Sequence, residues 1–298
     1  MTLLITDADF DGIVSAMLLR YYESSLSEID FTQIRFAHPT DIQKKCFQVN
    51  EAFVIADLPY LEGAKMWFDH HKNNFFETDV SGRRSVADSC ASVIADYYGI
   101  DDHAKLISET DRIDSGRFSR EDILNPSGCM LLSLLIGSDH DFNRHVISLL
   151  KEYDIDSMMK DEQISLKILD YKTNLSAVCD YFYRHIQVKD NVIILDMRDT
   201  EESIYLDSAW KFLHYAMHPE CNVSVRIYHP NLDRSKTKFQ FGCSILNSTY
   251  TGNLAELAGK YDGGGHPRAA GFTIGSQRGC EIYDYVIAEL IRPTTDGV

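Results

Sequence analysis

Asp7-Ala8-Asp9-Phe10-Asp11-Gly12 sets three carboxylates at alternate positions, after the apolar run Leu3–Thr6 and before a helical pattern. Like charges this close raise one another's pKa unless a cation lies among them. Oxygen ligands of this kind suit Mg²⁺ or Mn²⁺, and Gly12 permits a tight turn into the helix. The same residues also read as a solvated acidic loop in which Asp11 caps a helix. The arrangement recurs along the chain. Asp57 ends the run Phe53-Val54-Ile55-Ala56, and Asp69-His70-His71 ends Met66-Trp67-Phe68. Asp111 and Asp114 close a helical stretch. Taken singly, these are turn aspartates and packed or surface histidines. Taken together they describe a metal site, because an aspartate beside two histidines can orient one ring while that ring binds an ion. Gly263-Gly264-Gly265-His266-Pro267-Arg268 is a second candidate. Consecutive glycines let backbone N–H groups approach an anion, and His266 and Arg268 add donors and charge. A flexible turn is the competing reading.

The elements needed to position these residues follow from the periodicity. Leu3–Thr6, Ile34–Ala37, Phe53–Ala56 and Met66–Phe68 read as strands. Ile13–Tyr22, Val86–Tyr98, Ala104–Ile113, Leu131–Ile136 and Val146–Tyr153 read as helices. This alternation predicts an α/β fold with a mostly parallel sheet flanked by helices. In such sheets ligands collect at the carboxyl ends of the strands, where the acidic residues fall. Residues 155–186 form one long helical pattern without Gly or Pro, so we place a domain boundary between 187 and 188. The smaller second domain, 188–298, reads as strand Val192–Leu195, helix Leu206–Met217, and strands Val223–Tyr228 and Lys238–Cys243. Helix Asn253–Lys260, the glycine loop, strand Phe272–Ile274 and helix Cys280–Ile291 complete it.

Composition narrows the class. At 298 residues, with 44% hydrophobic and 25% charged residues, the chain is globular with ample core. No apolar run reaches the ~20 residues of a bilayer span, and the N-terminus lacks a basic lead and cleavage site, so we expect a cytoplasmic protein without a membrane partner. The net charge of −16 argues against coating duplex DNA, whereas a small anion can bind where cations are concentrated. The seven cysteines are scattered with no CxxC pair and read as reduced thiols.

The ordered set Asp7–Gly12, Asp57, Asp69-His70-His71, Asp111 and Gly263–His266 resembles the DHH phosphoesterases, specifically the branch with a C-terminal DHH-associated domain. The resemblance runs from about residue 3 to 275, in the family's order and spacing. It implies an N-terminal metal-binding domain, a C-terminal substrate-binding domain and an active site in the cleft between them. It implies metal ligation by Asp9, Asp11, Asp57, His70 and Asp111. Asp7 stands two residues ahead of Asp9 and is either a direct ligand or a neighbour of one. Asp114-Ser115-Gly116 competes with Asp111 for the family's fourth motif; we keep Asp111 as ligand and Asp114 as a group that orients it.

The resemblance further implies two Mn²⁺ ions, with Mg²⁺ or Co²⁺ as substitutes, roughly 3.5–4 Å apart. Asp57 would bridge them, with Asp9 and Asp7 on one side and Asp11, His70 and Asp111 on the other. A bridging water would attack phosphorus, His71 would donate to a phosphate or leaving oxygen, and Asp69 would fix a histidine. Gly263, Gly264, Gly265, His266 and Arg268 would bind the substrate phosphate. The expected activity is hydrolysis of short oligonucleotides or linear or cyclic dinucleotides. An exopolyphosphatase or nucleotide monoesterase, and a metal-dependent nucleotide sensor without turnover, are the alternatives. The sequence leaves room for a homodimer.

Overall fold

The computed structural model describes residues 2–152, 154–200 and 210–291. Its elements begin with β1 (Thr2–Thr6), α1 (Phe10–Tyr22), β2 (Ile34–Phe36), α2 (Pro39–Gln43), β3 (Ala52–Ala56) and β4 (Met66–Phe68). Helices α3 (Cys90–Tyr98), α4 (Ala104–Asp114), α5 (Arg120–Leu124), α6 (Gly128–Leu135), α7 (His140–Leu150), α8 (Ile155–Met158) and α9 (Glu162–His185) follow. The remainder is β5 (Ile186–Lys189), β6 (Val192–Asp196), α10 (Leu213–Met217), β7 (Val223–Tyr228), β8 (Lys236–Cys243), α11 (Leu254–Gly259), β9 (Gly264–His266), β10 (Ala269–Gly275) and α12 (Ser276–Ile291). Two compact units result. One comprises 1–117 and 126–170, the other 118–125 and 171–298. Residues 171–187, grouped with the N-terminal part on sequence grounds, fall in the second unit.

In the first unit four strands pair in the order β2-β1-β3-β4, every pair parallel. Alternate residues of a strand face opposite sides. Leu4, Val54, Ala56 and Phe68 therefore pack with α1, α3 and α7, while Leu3, Ile5, Phe53, Ile55 and Trp67 build a core on the other face. Burial on both faces explains why these strands read as unbroken apolar runs. Parallel pairing also brings the carboxyl ends of β1, β3 and β4 to one edge. Asp7, Asp57 and Asp69 each follow a strand end there.

The edge is braced from outside β4. Trp67 N–H donates to Ser81 O at 2.9 Å, Asp69 N–H to Arg83 O at 3.2 Å, and Ser85 N–H to Asp69 O at 3.2 Å. Gly82 makes this possible. Its φ is +100°, and a Cβ there would stand 2.4 Å from the Trp67 carbonyl oxygen.

The second unit holds a six-stranded sheet, β5-β6-β7-β8-β10-β9. β6 and β7 are parallel and the other neighbours antiparallel. Its core gathers Val192, Val223, Val225, Phe239, Phe241 and Phe272 under α11 and α12.

Four local expectations are corrected. The helix expected from Val86 starts at Cys90, because Ser89 is extended and caps it, accepting from Ser92 N–H. The single helix expected over 155–186 breaks after Met158, where Asp161 accepts from the N–H groups of Gln163 and Ile164 and starts a new helix. The glycine loop is not a loop. Gly264–His266 pairs with Ala269–Gly271 as a tight hairpin. Gly265, at φ +140°, lies so close to the partner strand that a Cβ would meet Ala269 O at 2.5 Å. The helix expected over Leu206–Met217 is observed from Leu213, and residues 206–209 lie outside the described residues. The cysteines are all free thiols. Among the described residues no helix is long and apolar enough to cross a membrane.

Gly82→Ala combines a steric clash with a left-handed backbone. We expect it to destabilise the first unit by about 1–3 kcal/mol, read as a lower urea midpoint. An unchanged midpoint would remove Gly82 from the bracing of β4.

Candidate metal centre

The first carboxylates are fixed by the β1–α1 turn. Asp9 is the N-cap of α1, and its Oδ1 accepts from Gly12 N–H at 2.9 Å. Asp7 Oδ1 accepts from Ala8 N–H at 2.7 Å. Asp11 points into the protein and is 1% exposed. It accepts from the N–H groups of Cys90 and Ala91 at 2.6 and 2.9 Å. These are unpaired donors at the start of α3, so the carboxylate both caps that helix and meets its positive end.

Asp57 follows β3 with φ +57°, a left-handed conformation that aspartate tolerates better than most residues. Its N–H still donates to Phe68 O at 3.0 Å. The side chain is buried, and its Oδ1 has no hydrogen-bond partner. His70 presents the complementary vacancy. Its Nδ1 lies 3.1 Å from Ala87 O. A carbonyl can only accept, so Nδ1 carries the proton, and Nε2 is the ring atom left to face a ligand. Nε2 is buried without a hydrogen bond. Around it stand Asp114 Oδ2 at 3.4 Å, Asp57 Oδ1 at 3.5 Å and Asp11 Oδ2 at 3.8 Å.

Asp69 is fully buried and accepts three times: from His71 N–H at 3.0 Å, His71 Nδ1–H at 2.9 Å and Asn74 Nδ2–H at 2.7 Å. It thus orients the second histidine of the triplet, not the first. His71 is half exposed, with Nδ1 also 3.8 Å from Asp57 Oδ1. The hydrogen bond to Asp69 raises the His71 pKa.

Asp111 and Asp114 lie one turn apart on α4 and part company. Asp111 Oδ1 accepts from Ser89 Oγ–H at 2.5 Å and Ser92 Oγ–H at 2.6 Å. Asp114 stands against His70. Ligand atoms of Asp11, His70 and Asp114 lie within 4.8 Å of one another, and so do those of Asp57, His70 and His71. Asp114 is thus the α4 carboxylate that stands against the His70 ring, and Asp111 the one bonded to Ser89 and Ser92. The two serines and the Ala87 carbonyl carried no signal in the sequence beyond the helix cap at Ser89.

The electrostatics agree with this crowding. Burial, then the Asp9 charge, pushes Asp7 up to about 7. Burial and neighbouring carboxylates also raise Asp11, Asp57 and Asp114. Buried atoms with no partner, a ring nitrogen facing carboxylate oxygens and mixed O/N donors all fit a divalent cation. The nearby arginines are otherwise engaged. Arg83 pairs with Asp96, and Arg84 donates to Val80 O.

The candidate substrate residues lie in the second unit. Gly263 N–H donates to Ala258 O at 3.0 Å. Gly264, Gly265, His266 and Arg268 are exposed, and the Arg268 Nη1 donates to Tyr250 O at 3.4 Å.

No protein-family model and no curated protein matches the chain. Solved structures do. The chain aligns over 97% of its length with 99% of PggH, a pGpG-specific phosphodiesterase from Vibrio cholerae, at 27% identity and a TM-score of 0.83. It aligns over its whole length with 92% of the exonuclease RecJ bound to manganese, at 11% identity and a TM-score of 0.52. An exopolyphosphatase-related protein from Bacteroides fragilis matches at 14% identity and 0.50, covering 97% of this chain and 91% of that one. The last two likenesses concern the fold alone. The parallel sheet with carboxylates and an imidazole at its strand ends, followed by a second sheet unit, matches the fold of a phosphodiesterase along nearly its whole length. With its motifs in order along that fold, the chain is similar to the DHH phosphoesterases.

A cation at this centre has a thermodynamic signature. Carboxyls with raised pKa bind more protons folded than unfolded, so metal-free stability falls as pH rises from about 4 to about 7. Saturating Mn²⁺ at a hundredfold over its Kd should add about 2.7 kcal/mol. Asp57→Asn should raise the melting temperature of chelated protein and abolish the Mn²⁺ shift. A variant that melts lower without metal and keeps the full shift would show that Asp57 is not part of a cation site.

Proposed function

We propose that the chain is a Mn²⁺-dependent phosphodiesterase that hydrolyses linear dinucleotides and short oligonucleotides. The observation carrying this reading is the pair Asp57 Oδ1 and His70 Nε2, buried, 3.5 Å apart and each without a hydrogen bond. Leaving such atoms unsatisfied costs about 1–3 kcal/mol each, which a cation between them removes. The substrate class is supported by the full-length likeness to a pGpG-specific phosphodiesterase.

In this reading Asp11, Asp57, His70 and Asp114 hold the metal pair, with Asp7 and Asp9 adding ligands or charge. Asp114 takes the ligand role that the family resemblance gave to Asp111. Asp111 braces the N-terminus of α3 through Ser89 and Ser92, and so sets the α4 turn that presents Asp114. Bound Mn²⁺ supplies an acidified water and positive charge for the phosphoryl oxygens. Water adds to phosphorus and the ester P–O bond breaks. His71, held by Asp69 and kept basic by that contact, gives the departing oxygen its proton. In this reading the segment Gly263, Gly264, Gly265, His266 and Arg268 binds a terminal phosphate, with donors from the exposed hairpin at Gly264–His266 and from Arg268, while the Gly263 N–H is held by Ala258 O. Soluble cytoplasmic action without a membrane or duplex partner belongs to the same reading.

Purified protein with Mn²⁺ should release mononucleotides from a linear dinucleotide, and little phosphate from polyphosphate or an adenosine bisphosphate. Release from polyphosphate alone would replace this reading with an exopolyphosphatase, and no product from any of them with a sensor. Asp114→Asn should lower turnover more than about a thousandfold and abolish the Mn²⁺ shift. Asp111→Asn, one step removed from the metal, should cost about 10–100-fold. The reverse ranking would return the ligand role to Asp111.

A further inference from the structure

One exposed aromatic group, in the segment that follows the Asp69-His70-His71 triplet, has no role in the chemistry above. Phe76 is 52% exposed, yet its ring is held in a fixed setting. It lies 5.4 Å from the Trp67 ring at an interplanar angle of 32°, and 5.3 Å from the Tyr60 ring at 68°. Trp67 is completely buried, and its indole N–H donates to Leu58 O at 2.9 Å. Leu58 directly follows Asp57. Arg84 spreads its guanidinium over the Trp67 ring at 5.4 Å. The chain keeps this group near the carboxylates. Tyr60 is three residues from Asp57, a reach of at most about 11 Å. Phe76 is five residues from His71, and a short 3₁₀ turn, Lys72–Asn74, takes up part of that length.

A single exposed apolar side chain is ordinary. Phe76 differs because a buried ring backs it, a second ring meets it nearly edge-on, and the backing ring is tied to the backbone next to Asp57. The remaining ring surface is open to water. The geometry points to Phe76, backed by Trp67 and flanked by Tyr60, as a platform on which one nucleobase of the substrate stacks. This inference rests on the phosphodiesterase reading and deepens it. Every base has a π-face, so such a platform favours nucleobase-bearing diesters over polyphosphate without reading base identity. A flat rigid side chain already packed on its neighbours also loses little freedom on binding.

Two substitutions separate stacking from packing. Phe76→Leu keeps an apolar cover on Trp67 but has no π-face, and Phe76→Tyr keeps both. Each is compared with the parent protein on a linear dinucleotide and on the same diester lacking its bases, with Mn²⁺ present. Phe76→Leu should lower kcat/KM for the dinucleotide by about 5–150-fold, the range of one base–aromatic stack, chiefly through KM. It should leave the abasic diester within twofold, and Phe76→Tyr should behave as the parent. Quenching of a 2-aminopurine dinucleotide reports stacking whether or not the bond is cut, and should be lost only in Phe76→Leu. Equal losses on both diesters, or undiminished quenching in Phe76→Leu, would overturn the platform. Quenching lost in Phe76→Leu with no product from any of the proteins would sink the phosphodiesterase reading and leave the platform supported.

Discussion

The structure is organised around one electrostatic conflict. Asp11 and Asp57 are buried, Asp114 is a quarter exposed, and all three converge on a buried ring nitrogen that makes no hydrogen bond. Two carboxylate oxygens 4.8 Å apart, the upper limit for Asp11 and Asp114, repel by about 3 kcal/mol at an effective dielectric of 20. Protonation is one release, and the raised pKa values mark how strongly the metal-free site leans towards it. A divalent cation is the other. Either release would neutralise the same cluster, so proton and cation compete for it.

The fold supports this arrangement with backbone more than with side chains. Parallel strands fix the edge on which Asp7, Asp57 and Asp69 emerge. The N-terminus of α3 supplies two amides to Asp11, and a carbonyl three residues ahead of that helix sets the His70 tautomer. Asp69 serves His71 through both its backbone and its ring. Removing a carboxylate would thus relieve repulsion locally, while removing one of these backbone partners would misplace several groups together. The extended stretch before Cys90, which the helical pattern alone would have made helix, exists in this form because its polar atoms serve the site.

This division explains what the amino-acid sequence discloses. The β-strand ends were legible because apolar runs terminating in Asp are local, and parallel pairing follows from their alternation with helices. The choice between Asp111 and Asp114 was not legible. Both lie on one face of α4, three residues apart, and the contacts that set their different surroundings come from Ser89 and Ser92, about twenty residues away in the chain. The same holds for the glycine segment. Three glycines suggest mobility, but Gly265 is required by the close approach of β9 to β10, a pairing that local pattern does not encode. The break between α8 and α9 was missed for the opposite reason. No Gly or Pro marks it, and Asp161 ends one helix and begins the next by capping alone.

The charge of the whole chain bears on substrate size. A protein with net charge −16 repels a phosphate chain over each segment lying within the ~8 Å screening length of its surface. For a long strand that cost accumulates with every phosphate alongside the protein. A dinucleotide brings few phosphates, and cations at the acidic centre neutralise the one to be attacked. Base stacking would add attraction that carries no charge, so affinity would not require the basic surface that long nucleic acids demand. An acidic chain whose buried carboxylates converge on an imidazole is thus physically consistent with short nucleotide substrates. The same surface would discriminate against polymers by repulsion before any contact with the centre is made.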